Sequence, residues 1–129
     1  MPELLDPTSR ITALCRQRHI TIALMTDARF SGGSVGLVIG HVAPEAFLGC
    51  PIALVEDGDT VVVDLTNDRL DCVQLREAEE LERRSAAWQA AAGDNGGVHP
   101  DVTPVTDRVL ARMRATALPA LLGGGMATL

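Results

Sequence analysis

Apolar residues recur at helical spacing at Ile11, Leu14 and Cys15, and Thr8 and Ser9 ahead of them can cap a helix, so the pattern predicts a short helix over about 8–18. ITIALM (20–25) follows as an unbroken apolar, β-branched run with the length of a buried strand. The pattern then stops. TDARFSGGSVG (26–36) carries glycines at 32, 33 and 36 and reads as a loop leaving the end of that strand. LVIGHVAPEAFLG (37–49) predicts a short strand and a turn or two of helix, with Pro44 near its start and Gly49 as its stop. IALV, TVVVDL and RLDCVQL predict a meander of three short strands, with Asp57-Gly58 and Thr66-Asn67-Asp68 as the turns.

From Arg76 the character changes. EAEELERRSAAWQAAA is built of helix formers with charge over most of one face, which predicts a surface helix ending at Gly93. GDNGGVHPDVTP (93–104) predicts a loop or arm. Val105, Val109, Leu110, Met113 and Ala117 then mark a last amphipathic helix that Pro119 disturbs, and GGGMATL (123–129) predicts a frayed end. No internal repeat is present.

Composition narrows the function classes. With 129 residues the chain is sized for one domain, and 47% hydrophobic against 22% charged residues is the balance of a folded protein. Aromatics are only 2%, too few for a base-stacking surface, and a net charge of −6 opposes phosphate backbones and anionic membranes. No apolar run reaches the roughly 20 residues of a bilayer span, and the first residues lack a secretory pattern, so the expectation is a cytoplasmic protein. Cys15, Cys50 and Cys72 are widely spaced, which suggests neither a disulfide framework nor a closed zinc site.

The chemistry concentrates in residues 26–46, where Asp27, Arg29, Ser31, Ser34, His41 and Glu45 fall on two loops around one strand. Glycines at 32, 33 and 36 let backbone amides approach a ligand, and successive N–H groups there can form an anion-binding nest. Neither a dinucleotide fingerprint nor a P-loop is present, so the residues alone point only to a carboxylate or phosphate cradle.

The MPELL opening, the TDARFSGG loop, the GHVAPEA turn and the PIALVEDGD hairpin together resemble the C-terminal domain of the dihydroxy-acid dehydratase and 6-phosphogluconate dehydratase family, from Met1 to about Leu75. The EELERR helix resembles it too, and residues 93–129 only loosely. RFSGGS and GHVAPEA look like the dihydroxy-acid dehydratase branch, whereas Asp27-Ala28-Arg29 is similar to the sugar-acid branch. The resemblance implies an α+β fold, a β-barrel-like swivelling β/β/α domain with flanking helices: a barrel core over about 1–75 and a helical tail over about 76–122. It implies a hydro-lyase that turns 2,3-dihydroxy acids into 2-keto acids in branched-chain amino acid biosynthesis. An iron–sulfur cluster and magnesium would be held mostly by an N-terminal domain that this chain lacks, so the chain alone is expected to be inactive and to bind neither group stably.

Residue by residue, the resemblance makes Ser31 the catalytic base that removes the proton beside the carboxyl group. Glu3 becomes a magnesium ligand, and Ser34, Arg29, Gly32, Gly33 and His41 become substrate-binding. The expected partners are the N-terminal dehydratase domain, a small 2,3-dihydroxy acid and a second copy of the protein. Two other readings stay open: a sugar-acid or 6-phosphogluconate dehydratase fragment, and a stand-alone small-molecule binding or interaction module.

Plainer roles are available for several of these residues. His41 beside an apolar strand suits a structural histidine, Glu45 suits the first turn of a helix, and Asp27 can brace its loop with Arg29 as its ion partner. Asp57-Gly58-Asp59 reads as a turn rather than a metal loop, and Trp88 as the anchor of its helix.

Overall fold

The computed structural model describes residues 4–30, 35–94, 99, 101–103 and 105–127. The chain divides into two compact units, Met1–Ala43 and Pro44–Leu129.

In the first unit, α1 spans Leu5–Arg18. It starts earlier than the Thr8-Ser9 signal predicts, because the Thr8 N–H already bonds the Leu4 carbonyl at 3.0 Å. Pro7 falls in the first turn, where a missing N–H costs nothing. Asp6 favours the same turn and Arg16 and Arg18 the last one, each opposite the helix dipole. His19 closes the helix in the left-handed region with φ 52°. Two short strands follow, β1 (Ala23–Met25) and β2 (Leu37–Ile39), paired in parallel with Ala23 opposite Leu37 and Met25 opposite Ile39. A parallel pair needs a crossover, and residues 26–36 supply it.

In the second unit, Pro51–Leu54 is a 3-10 turn and not the expected strand. Proline at its first position presets φ and offers no ladder N–H, while the Ala53 N–H bonds the Cys50 carbonyl at 2.7 Å. The meander is therefore one hairpin: β3 (Val61–Asp64) antiparallel to β4 (Arg69–Cys72), with Val61 opposite Cys72. Its turn is held by Asp64, whose carboxylate accepts from the Thr66 and Asn67 amides at 3.0 and 3.2 Å. The long α2 (Ala78–Asp94) and the shorter α3 (Arg108–Thr116) follow. Asp107, not Val105, opens α3, its side chain accepting from the Val109 and Leu110 amides at 2.8 and 2.9 Å. The end beyond Pro119 is not loose up to Ala127: Leu118 donates to the Gly125 carbonyl and Ala127 to the Thr116 carbonyl.

The α+β class stands, but the four strands of the described residues form two separate two-stranded sheets, not a closed barrel. Closure requires every strand to pair on both edges, and each of these pairs on one. Among the described residues, no helix is long and apolar enough to cross a membrane.

What fastens α2 is chemistry that the sequence reading missed. Arg84, 7% exposed, donates two parallel bonds to the Asp59 carboxylate, a third to the Leu54 carbonyl at 2.8 Å and a fourth to Glu80. Asp59 also accepts from the Glu56 amide at 2.9 Å and from the Cys72 thiol at 3.6 Å. The DGD segment is thus a turn whose second aspartate is the anchor of a helix.

Trp88 provides the second fastening, against Gly49. A methyl group on Gly49 would sit 2.7 Å from the Trp88 ring, and φ there is +71°. Gly49→Ala is expected to lower stability by about 2–3 kcal/mol, combining left-handed strain with overpacking. Urea denaturation read by circular dichroism checks this, and a midpoint unchanged by the substitution contradicts it.

Candidate functional site

Of the residues singled out in the sequence, Glu3, Ser31, Gly32, Gly33 and Ser34 lie outside the described residues. Arg29 and His41 lie within them, and both sit beyond the carboxyl ends of the two parallel strands. That end of a parallel sheet is where open α/β structures bind ligands, because the loops leaving adjacent strands diverge there and leave a crevice.

Backbone bonds carry the pairing past the strands. Thr26 donates to the Ile39 carbonyl at 3.0 Å, Val42 donates to the Thr26 carbonyl at 3.1 Å, and His41 donates to the Ala28 carbonyl at 2.9 Å. The Thr26 hydroxyl accepts from the Ala28 amide at 3.0 Å, which bends the chain just before Arg29. Ala28 is 4% exposed, while the side chains of Arg29 and His41 are exposed. The buried alanine therefore ties the two loops together while its neighbour and its partner face outward. His41 adopts φ 54°, unusual for a residue with a Cβ, so its backbone is held by the ladder against its own preference.

Two positions flanking segment 31–34 in the sequence are closely constrained. Before it, Phe30 lies against Gly40, where an added Cβ would meet the ring at 3.1 Å. After it, Gly36 takes φ +104°, open only to glycine at low cost. Of the glycines singled out at 32, 33 and 36, Gly36 lies within the described residues. Asp27 is half-buried at the start of the crossover.

Electrostatic perturbation lies elsewhere. Hydrogen bonds from Arg83, then Arg84, hold the Glu80 carboxyl down to about 2, and the Arg84 guanidinium holds Asp59 far below the usual carboxylate range. These groups fasten α2, so the shifts mark structure.

The iron–sulfur cluster and magnesium do not fit the described residues. Among them no three His, Cys, Asp or Glu side chains gather closely enough to hold a metal ion. Cys72 is buried with its thiol donated to Asp59 and Gln74, and Cys15 and Cys50 are free thiols in different units. A cluster needs several thiolates converging on one point, and magnesium needs several oxygens.

Comparison with known proteins supplies the family. Residues 1–123 match the family described as Dihydroxy-acid/6-phosphogluconate dehydratase C-terminal. The dihydroxy-acid dehydratase of Thermus thermophilus is 52% identical over 89 residues, which is 69% of this chain and 15% of that protein. Those of Ignicoccus hospitalis and Methanoregula boonei are 42% and 46% identical over 126 and 123 residues, covering 98% and 95% of this chain and 20% of each relative. The chain spans about a fifth or less of the length of the relatives it matches. With a family match over residues 1–123 and relatives covering almost all of it, the chain belongs to the dihydroxy-acid/6-phosphogluconate dehydratase C-terminal family.

Proposed function

We propose that this chain serves as one domain, the C-terminal swivelling domain, of a cytoplasmic hydro-lyase that converts a 2,3-dihydroxy acid into a 2-keto acid. The observation that carries the reading is the pairing of Ala28 with His41 beyond the ends of the parallel strands, which fixes the backbone next to Arg29 and at His41, the two described residues that the family resemblance assigns to the substrate. The name shared by its relatives, dihydroxy-acid dehydratase, supports the substrate class.

In this reading Ser31, as its alkoxide, removes the proton from the carbon beside the carboxylate. The electron pair left behind forms the carbon–carbon double bond as the 3-hydroxyl departs, the departing hydroxide takes the proton from the serine hydroxyl to leave as water and restore the alkoxide, and the enol tautomerises to the keto acid. Arg29 carries the fixed positive charge suited to a substrate carboxylate, and Ser34 and the amides of Gly32 and Gly33 donate hydrogen bonds to it. His41 is a further donor to the same substrate. The iron–sulfur cluster and magnesium belong to the N-terminal domain, with Glu3 as this chain's single ligand to the magnesium. A second copy of the assembled enzyme completes a homodimer.

Complementation tests the reading. The 129-residue chain alone is expected to give no 2-keto acid from 2,3-dihydroxyisovalerate, and the chain joined to the N-terminal domain is expected to give it. An assembled enzyme that dehydrates gluconate or its 6-phosphate instead would favour the sugar-acid branch, the reading that Asp27-Ala28-Arg29 supports. Saturable binding of 2-keto acids to the isolated chain by calorimetry would favour a stand-alone binding module.

A further inference from the structure

The geometry points to a releasable latch: the Glu45 carboxylate fastens a C-terminal strap, residues 107–127, onto the turn at 44–49. Glu45 Oε1 accepts from the Ala120 N–H at 2.7 Å, joining positions 75 residues apart. Close by in sequence, the Arg114 guanidinium lies 4.7 Å over the ring of Phe47. Both contacts join the strap to the same turn.

The strap is internally braced. Asp107 caps α3, Ala117 bridges Met126, and Leu118 and Ala127 bond across to Gly125 and Thr116. It is also weakly embedded: neither α3 nor the 3-10 turn Ala120–Leu122 has a buried residue, and Val109 and Leu110 are 67% and 57% exposed. An element that adds so little to the core opens locally far more readily than the whole chain unfolds. Its attachment therefore rests on its few specific contacts, and the charged acceptor is the strongest kind among them.

The other oxygen of Glu45 decides how firmly the latch holds. Oε2 is buried with no hydrogen-bond partner. Closing the strap gains a charge-assisted bond at Oε1, and the forfeited hydration of Oε2 offsets part of that gain. A donor delivered to Oε2 would tighten the latch.

Trypsin reads the strap directly, because Arg112 and Arg114 lie within α3 and are cut only when it opens. In the 129-residue chain, Glu45→Ala is expected to speed cleavage at these sites roughly tenfold or more, with the rate at Arg83 in α2 unchanged. Ala120→Pro removes the donor at a position where proline fits the first residue of a helical turn, and should match Glu45→Ala. The double variant should be no faster than either single one. Glu45→Gln, which keeps an acceptor oxygen, should restore most of the protection. Cleavage within about twofold of the parent for Glu45→Ala, equal acceleration at Arg83, multiplied effects in the double variant, or a glutamine variant as fast as the alanine one would each overturn the latch.

Discussion

In the full-length dehydratase, Ser31→Ala is expected to lower kcat by about a hundred- to ten-thousandfold, the range supplied by a positioned proton acceptor, with KM little changed. The substrate carbon releases its proton only on the way to the transition state, so a group that takes it stabilises that state and contributes little to ground-state binding. Ser34→Ala is expected to behave in the opposite way. A hydroxyl that donates to the substrate carboxylate does so before and during the reaction, so its loss raises KM and leaves kcat largely intact. Steady-state kinetics on both variants separates the roles. A Ser31→Ala enzyme with near-normal kcat removes the proposed base, and a Ser34→Ala enzyme with unchanged KM removes the carboxylate contact.

The largest expected loss of stability follows from Arg84→Leu. The guanidinium is bonded to Asp59, Glu80 and the Leu54 carbonyl, and the side chains of Arg84 and Asp59 are 7% and 6% exposed. Leucine fills the volume but leaves the Asp59 carboxylate shut away from water without its cation, which is costlier than losing both charges together. Thermal denaturation should show Tm falling by on the order of 10 °C or more, and Arg84→Leu combined with Asp59→Leu should recover part of the loss. A single variant that melts with the parent would show that the pair contributes nothing to the fold. Acid provides a second view of the same contacts. Asp59 and Glu80 titrate below their ordinary values of 3.8 and 4.5, so both are more acidic folded than unfolded. Their contribution is present above those ordinary values and is lost as pH falls toward about 2, where Glu80 takes up its proton. In Arg84→Leu this acid sensitivity should be reduced.

Elements whose cause is local were legible in the sequence. The charge density and helix formers after Arg76 give α2 without reference to any other segment, and Gly49 ends its turn in the left-handed conformation expected of a helix stop. Asp64 secures the Thr66-Asn67-Asp68 turn through bonds that never leave it. Elements that depend on a distant partner were not legible. IALV has the composition of a strand, yet Pro51 gives it no ladder to join and Leu54 turns inward beneath Arg84. An apolar run announces that it will be buried without saying which strand lies beside it, so the pattern overestimates the number of strands, while the barrel-like expectation comes from the family resemblance. Asp59 looked like an ordinary turn residue because its cation lies 25 positions away. At the candidate site, the placement of Arg29 and His41 depends on a ladder bond from His41 to Ala28 that no pattern encodes.

Trp88 has a practical consequence beyond anchoring its helix. It is the sole tryptophan of a chain without tyrosine, so near-ultraviolet excitation reaches one indole and little else. Its ring is seated on Gly49 and lies 5.9 Å from the imidazole of His99. Emission from this protein is therefore a local gauge, sensitive to how Gly49 and His99 lie against the indole.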